Sequence, residues 1–304
     1  MCGIVGLFLK DPTLETRLGA LMADMLVQMS ERGPDSAGFA VYGAPGGSVR
    51  MTLRSESPAA DFPLLDQALS QAIGAPVALM TRDTHAVLTL PAEALDAARA
   101  ALPGLRPGLS VMSFGDAIEI YKEVGLPRDV ASRFGLAAMP GTHGIGHTRM
   151  ATESAVTTMG AHPFSTGPDQ CLVHNGSLSN HNALRRDLIR EGLTFETDND
   201  SEVAAAYLTA RMAEGANLGQ ALETGLTDLD GFYTFVVGTR DGFGVLRDPI
   251  ACKPAVLAET DQWVAMASEF RAIAPLPGVE TARIWEPEPG VVYTWGGERA
   301  RAAA

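Results

Sequence analysis

Cysteine is scarce: the 304-residue chain has only Cys2, Cys171 and Cys252, far apart and without a CxxC pair. An odd, scattered count fits neither a disulfide framework nor a structural zinc site, and it leaves no cluster for iron and sulfur. Basic charge is also in short supply. Lys and Arg number 23 against 36 Asp and Glu, for a formal net charge of -13, and no run of Lys or Arg makes a local exception. Such a surface is not built to neutralise phosphates, so nucleic-acid binding is not expected. No apolar stretch is long enough to span a bilayer, and no basic n-region leads into a cleavage site at the N-terminus. These absences predict a cytoplasmic protein with no membrane association. Neither a GxxxxGK[ST] loop nor an SGGxDS pyrophosphate loop occurs, and there is no internal repeat and no long low-complexity linker.

What is present reads as a folded chain. Apolar residues make up 46% and charged residues 19%, far from the composition of disorder, and the length suits one large domain or two modest ones. Residues 3–9 read as a buried strand. Leu18, Leu21, Met22, Met25, Leu26 and Met29 then recur at helical spacing and predict a helix over 13–29, its methionines in the core. A Gly- and Pro-containing loop over 31–38 opens onto a short strand at 39–42. From Gly43 to about Leu136 the texture changes. Strands are expected at 49–53, 77–81, 86–90 and 109–114, with helices at 62–73 and 91–101, which is the ferredoxin-like order β-α-β-β-α-β. After Gly144 strands and turns return, interrupted by helices at 179–191 and 201–214. In the second of these, Val203, Ala206, Tyr207 and Ala210 form a face that can pack on a sheet.

The sharpest local feature is Cys2. Met followed by a small residue is normally trimmed, leaving a cysteine whose thiol and free α-amine belong to one residue. Unperturbed, these groups titrate near ~8.5 and ~7.7–8.0, so a proton passes between them at little cost, and an N-terminal amine can serve as base to its own side chain. Taken alone, a Met-Cys start is a small residue at the head of a strand. Four further motifs follow it: Arg32-Gly33-Pro34-Asp35-Ser36, Gly146-His147-Thr148-Arg149-Met150-Ala151-Thr152, His174-Asn175-Gly176 and Asp200-Ser201-Glu202. Each has a plain structural reading. Asn175-Gly176 alone suggests a hairpin turn, Asp200 the N-cap of the helix at 201–214, Arg149 a surface ion pair, and Arg32 and Asp35 turn structure around Gly33-Pro34.

As an ordered set with Cys2-Gly3-Ile4, these motifs closely resemble the class II glutamine amidotransferases, over 1–43 and 144 to about 293. The resemblance implies an α+β fold, the N-terminal-nucleophile hydrolase αββα sandwich of two antiparallel sheets. The domain would be discontinuous, 1–43 and 144–304, with the ferredoxin-like module inserted at 44–136 and a connector at 137–143. It further implies that Cys2 attacks the glutamine carboxamide and forms a γ-glutamyl thioester. The Asn175 side chain and the Gly176 N–H form the oxyanion hole, and Arg32 orients the Cys2 backbone and amine. Arg149 grips the substrate α-carboxylate and Asp200 its α-ammonium, with Thr152 and His174 also among the substrate-binding residues. In this family the amine, rather than His147 or His174, acts as base. Smaller matches, including Ala161-His162-Pro163-Phe164 and Ala267-Ser268-Glu269, support the fold. The chain departs from the pattern at Met150, where many members have an aromatic residue, and at Glu153-Ser154, which alters the side wall of the glutamine site.

With no acceptor-site motif in the chain, the ammonia is expected to go to another polypeptide. The insertion, ending in Tyr121-Lys122-Glu123-Val124-Gly125-Leu126-Pro127 before the motif that starts at Gly144, resembles separately encoded amidotransferase subunits of glutamate-synthase-like complexes such as N-methylglutamate synthase (methylamine–glutamate N-methyltransferase). That resemblance implies a hetero-oligomer with a partner carrying FMN and an iron–sulfur cluster, together with another small subunit, this chain needing no cofactor or metal of its own. The substrate is L-glutamine or a γ-glutamyl amide, and ammonia or methylamine is passed on. Two alternatives stay open: a stand-alone glutaminase or γ-glutamyl amidase, and a catalytically silent glutamine-binding regulatory subunit. The insertion itself reads either as a docking or ligand-sensing module or as a spacer over a sheet edge.

Overall fold

The computed structural model describes residues 2–151 and 155–296. Strand β1 (Gly3–Leu9) shows why the N-terminal run is apolar throughout. Val5, Leu7 and Leu9 join the core beneath a helix, while Ile4 joins a second core between two sheets. A strand covered on both faces has no reason to alternate with polar residues. The helix expected over 13–29 is divided in two. Asp11 accepts a hydrogen bond from Thr13 N–H at 2.9 Å and opens a 3-10 turn over Pro12–Arg17, and the α-helix proper, α1 (Leu18–Gln28), follows.

Strand β2 (Ser36–Tyr42) leads into the inserted module: β3 (Ser48–Ser55), the single turn α2 (Pro58–Asp61), α3 (Leu65–Ile73), β4 (Ala78–Arg82), β5 (His85–Pro91), α4 (Leu95–Leu105) and β6 (Leu109–Gly115). Its antiparallel strands lie in the order β4-β5-β3-β6, the ferredoxin-like arrangement read from the sequence. Met51, Leu53 and Leu88 of the sheet pack on Leu65 and Leu69 of α3 and on Ala98 and Leu102 of α4, a core of its own. The strands of this small sheet end at Gly115. β7 (Ile118–Val124) pairs along its length with β2, sending Ile118 and Ile120 into the core between the large sheets and Tyr121 toward α1. Part of the 44–136 segment therefore belongs to the main sandwich, because β7 has apolar residues for both faces of the larger sheet. Helix α5 (Pro127–Arg133) packs beside it.

The rest completes the sandwich: β8 (His143–Arg149), β9 (Phe164–Gly167), β10 (Gln170–Leu178), α6 (His181–Arg190), α7 (Asp200–Ala213), α8 (Leu218–Asp228), β11 (Gly231–Thr239), β12 (Gly242–Arg247), β13 (Val256–Glu259), β14 (Trp263–Ala267), β15 (Arg283–Trp285) and β16 (Val292–Gly296). One antiparallel sheet runs β15-β13-β14-β1-β8-β2-β7 and the other β16-β12-β11-β10-β9. Ile4, Ile145, Val173, Val236, Phe243 and Met266 fill the space between them. Helix α1 covers the outside of the first sheet, and α7 and α8 cover the second, with Val203, Ala206, Tyr207 and Ala210 on the packed face as their spacing predicted. Helix α8 went unread in the sequence, although a capping box marks its start: Asn217 accepts from Gln220 N–H and the Gln220 side chain from Asn217 N–H. Among the described residues no helix is long and apolar enough to cross a membrane.

Leu69 is 0% exposed in the small core. Leu69→Ala should lower the unfolding free energy in urea by about 2–5 kcal/mol, the range for emptying a leucine site. A loss under about 1 kcal/mol would contradict the packing described.

Candidate active site

The head of β1 is held by groups distant in sequence. Gly3 stands opposite Thr148 of β8, and Ile4 N–H donates to Ser268 Oγ while Ser268 N–H donates to Ile4 O, both at 3.0 Å. Arg32 Nε donates to the Cys2 carbonyl at 2.9 Å, and its Nη1 pairs with Glu269 at 2.6 Å. Arg271 braces the same carboxylate at 2.7 Å and reaches Glu31 at 2.7 Å. The hydrogen bond from Arg32, with Arg271 beside it, holds the Glu269 carboxyl below its ordinary range. Arg32 thus sits where a group orienting the Cys2 backbone must sit. Glu269 and Ser268, read in the sequence only as fold markers, complete that clamp. Asp35 secures the other side, accepting from Ala151 N–H at 2.8 Å and donating its own N–H to Arg149 O at 3.1 Å. Between Arg32 and Asp35 the loop presses on β8 so closely that a Cβ at Gly33 would lie 2.3 Å from the Thr148 carbonyl carbon.

Asn175-Gly176 is not a hairpin turn. Both residues lie inside β10, paired with Thr234 and Tyr233 of β11, and Asn175 Nδ2 points across the sandwich to the Cys2 carbonyl at 3.4 Å. Gly176 has φ +150°, and a Cβ there would meet Phe232 O at 2.0 Å, so only glycine fits beside the asparagine.

Arg149 ends β8 and is 7% exposed, with Nη1 donating to Ala155 O at 3.3 Å. It shares a face with Ile145 and His147, which look toward the second sheet. Asp200 opens α7. The N-cap is Asn199, one residue earlier than expected, accepting from Ser201 N–H at 2.9 Å. Asp200 Oδ2 instead accepts from Leu178 N–H at 2.9 Å, tying the helix start to the strand just past Gly176. Thr152 lies outside the described residues. His174, expected among the substrate contacts, has a side chain only 2% exposed. Its Nδ1 lies 2.9 Å from Ser201 Oγ and 3.7 Å from Asp200 Oδ1. Its ring lies edge-on to that of Phe235, with centroids 5.0 Å apart.

A buried imidazole group surrounds Ser201. His162 Nε2 lies 2.8 Å from Ser201 Oγ, its ring stacks on His147 at 4.0 Å, and His147 Nε2 lies 3.1 Å from His174 O. The sequence reading treated these histidines singly, and the role of Ser201 in joining two of them required the tertiary structure. Burial lowers all three pKa values, that of His147 to about 3. No hydrogen bond joins any of these rings to Cys2 among the described residues. The remaining cysteines are chemically distant from this site: Cys171 is buried 3.3 Å from the Tyr42 hydroxyl, with burial pushing its thiol up to about 12, and Cys252 is exposed. Among the described residues no group of His, Cys, Asp or Glu is placed to hold a metal ion.

Two facing antiparallel sheets between helical layers, with a cysteine at the head of a central strand and Asn-Gly opposite it, define the class of N-terminal-nucleophile amidotransferases. The structure of glutamine phosphoribosylpyrophosphate amidotransferase from B. subtilis, complexed with ADP and GMP, shares the fold at TM-score 0.62 and 19% identity, covering 97% of this chain and 47% of that one. The Glutamine amidotransferase domain family matches residues 147–275. Glutamine amidotransferase-like protein GlxB of Rhizobium meliloti (strain 1021) is 63% identical over 301 residues, 99% of this chain and 100% of that protein. A candidate glutamine amidotransferase of Methanothermobacter thermautotrophicus is 34% identical over 308 residues, 97% of this chain and 99% of that protein. The chain belongs to the class II glutamine amidotransferase family.

The buried imidazoles make stability pH-dependent. Their folded pKa values lie below the ordinary 6.5, so the unfolded chain binds more protons as the medium acidifies. Their contribution is complete above about pH 6.5 and is lost as pH falls toward about 3. Melting temperature should fall between about pH 7 and about pH 4, and fall less steeply in His162→Gln. Parallel curves for the two proteins would show that His162 is not buried as neutral imidazole.

Proposed function

We propose that this chain hydrolyses the side-chain amide of glutamine with Cys2 as nucleophile after removal of Met1. The thiol proton passes to the Cys2 α-amine as sulfur attacks the amide carbonyl, and the Asn175 amide and Gly176 N–H receive the oxyanion. As the intermediate collapses, the C–N bond breaks and the ammonium returns its proton to the departing nitrogen, releasing ammonia. Water, deprotonated by the same amine, then cleaves the thioester and frees glutamate. Arg149 holds the substrate α-carboxylate, Asp200 the α-ammonium, and Arg32 fixes the Cys2 backbone. The observation carrying this reading is the approach of Asn175 Nδ2 to within 3.4 Å of Cys2 from the opposite sheet, with Gly176 beside it.

The ammonia, or methylamine, passes to a glutamate-synthase-like partner bearing FMN and an iron–sulfur cluster, in a complex of the N-methylglutamate synthase type. In support, two relatives match the chain from end to end, whereas the solved phosphoribosylpyrophosphate amidotransferase contains the matched fold as about half of its chain.

Intact mass after exposure to an electrophilic glutamine mimic should show loss of Met1 and one adduct, absent in Cys2→Ser. A retained Met1 would end the mechanism. Asn175→Ala should lower kcat for glutamine hydrolysis by about 10²–10³ with little change in KM, as for removal of a donor used chiefly in the transition state. Copurification with the flavin partner checks the complex, and a fully active monomer would favour a stand-alone glutaminase.

A further inference from the structure

Away from Cys2 a cavity of ≈ 290 Å³ opens where three parts of the chain meet. Edge strand β6 of the small sheet lies beside edge strand β9 of the five-stranded sheet, with Asp169 N–H donating to Phe114 O at 3.0 Å nearby, and the 192–197 segment between α6 and α7 closes the third side. The volume lies at the bottom of the range for drug-sized ligands, about 300–1,000 Å³, and suits a smaller metabolite.

Two charged residues of the wall are already engaged within the chain. Lys122 Nζ donates to the carbonyls of Ala161 at 2.8 Å, Pro163 at 3.2 Å and Met159 at 3.3 Å, which uses all its N–H groups. Glu202 accepts from Glu196 N–H and Thr197 N–H at 2.8 Å and from Thr197 Oγ1 at 2.6 Å. Three other lining groups are unused. Arg99 is an exposed residue of α4 whose guanidinium lies over the Phe114 ring at 4.3 Å and has no hydrogen bond or ion pair among the described residues. Glu196, an exposed residue, has none at its carboxylate either; partial desolvation, followed by the neighbouring Glu202 charge, raises its pKa, and the Lys122 charge opposes the shift. Ser113 is 1% exposed, and its buried hydroxyl has no partner. Ser36, Thr52 and Thr234 also have buried hydroxyls without a partner, and of this group Ser113 is the one that lines the cavity.

We propose that this cavity binds a small α-amino acid, with its carboxylate on Arg99, its ammonium on Glu196 and a hydrogen bond to Ser113. Opposite charges lining one cavity favour a zwitterion, because a singly charged ligand pairs with only one of them. The walls lead to the catalytic residues. Lys122 ties down the segment that follows Arg149, and Glu202 stands two residues beyond Asp200 in α7. Occupancy therefore alters glutamine hydrolysis. This coupling rests on the function proposed above, but the binding does not.

The test is calorimetric titration of the full chain with glycine, L-alanine, L-aspartate and L-glutamate, using succinate and ethylamine as singly functional counterparts. At least one amino acid should bind to one site per chain, in Arg149→Ala as in the original protein. Arg99→Ala and Glu196→Gln should each weaken it by about 10-fold or more, as expected for charge-assisted bonds. Ser113→Ala should weaken binding while leaving melting temperature without ligand unchanged or higher, since it removes an unsatisfied buried group. Absence of binding across the amino acids, equal affinity in Arg99→Ala, or equally tight binding of succinate would overturn the site. The bound amino acid should also change the rate of glutamine hydrolysis in the original protein and not in Arg99→Ala, and an unchanged rate would overturn the coupling. Binding without any glutamine hydrolysis would leave the site standing and remove the proposed function.

Discussion

Burial of β1 between β8 and β14 is the constraint on which the rest of the molecule depends. A chain terminus ordinarily frays, yet here the first strand is fully paired on both edges and covered on both faces, by α1 on one side and the second sheet on the other. Cys2 therefore emerges from a strand restrained on both edges and both faces. The exchanged hydrogen bonds between Ile4 and Ser268 and the Arg32 bond to the Cys2 carbonyl carry that restraint to the terminal residue. Positioning by backbone and charge suits the proposed reaction, in which one residue supplies both nucleophile and base and its geometry is set by where its main chain lies.

The opposing wall is positioned by the same economy of space. Asn175 and Gly176 project from a paired strand rather than from a loop, so the donors of the proposed oxyanion hole are held by a sheet ladder. Rigid placement matters for groups that stabilise charge appearing only during reaction. Behind them, the buried imidazoles, Ser201 and Asp200 lock the start of α7 to the end of β10. The inserted module then meets this frame at its edges. Arg54 reaches Thr158 at 3.3 Å and Thr84 reaches Glu123 at 3.3 Å, so the module touches the segment downstream of Arg149.

Local pattern made much of this legible. The helical spacing in α1 and α7 and the strand order of the module follow from periodicity, and each segment packs the face its spacing marks. The less legible features share a physical origin. Asn-Gly carries a strong local turn preference, which the ladder with β11 overrides by pairing both residues with Thr234 and Tyr233. The apolar residues of β7 are compatible with either sheet, and only the long register with β2 assigns the strand. Two of the buried residues of α8 are Gly219 and Gly225, whose low helix preference masks its spacing.

The sequence by itself determined the chemistry available: a cysteine next to the initiator methionine, the glycines that permit close backbone approach, and the order of motifs that identifies the family. Those are local properties of residue type and spacing. Tertiary structure alone decided which residues meet. It brought Arg32, Asn175, Ser268 and Glu269 to the first strand across separations of up to hundreds of residues, placed the His174 ring behind Asp200, and left Arg99, Ser113 and Glu196 around one cavity. The reason is that partner choice in a sandwich depends on sheet order and on which face each strand presents, and neither is written in any short stretch of chain.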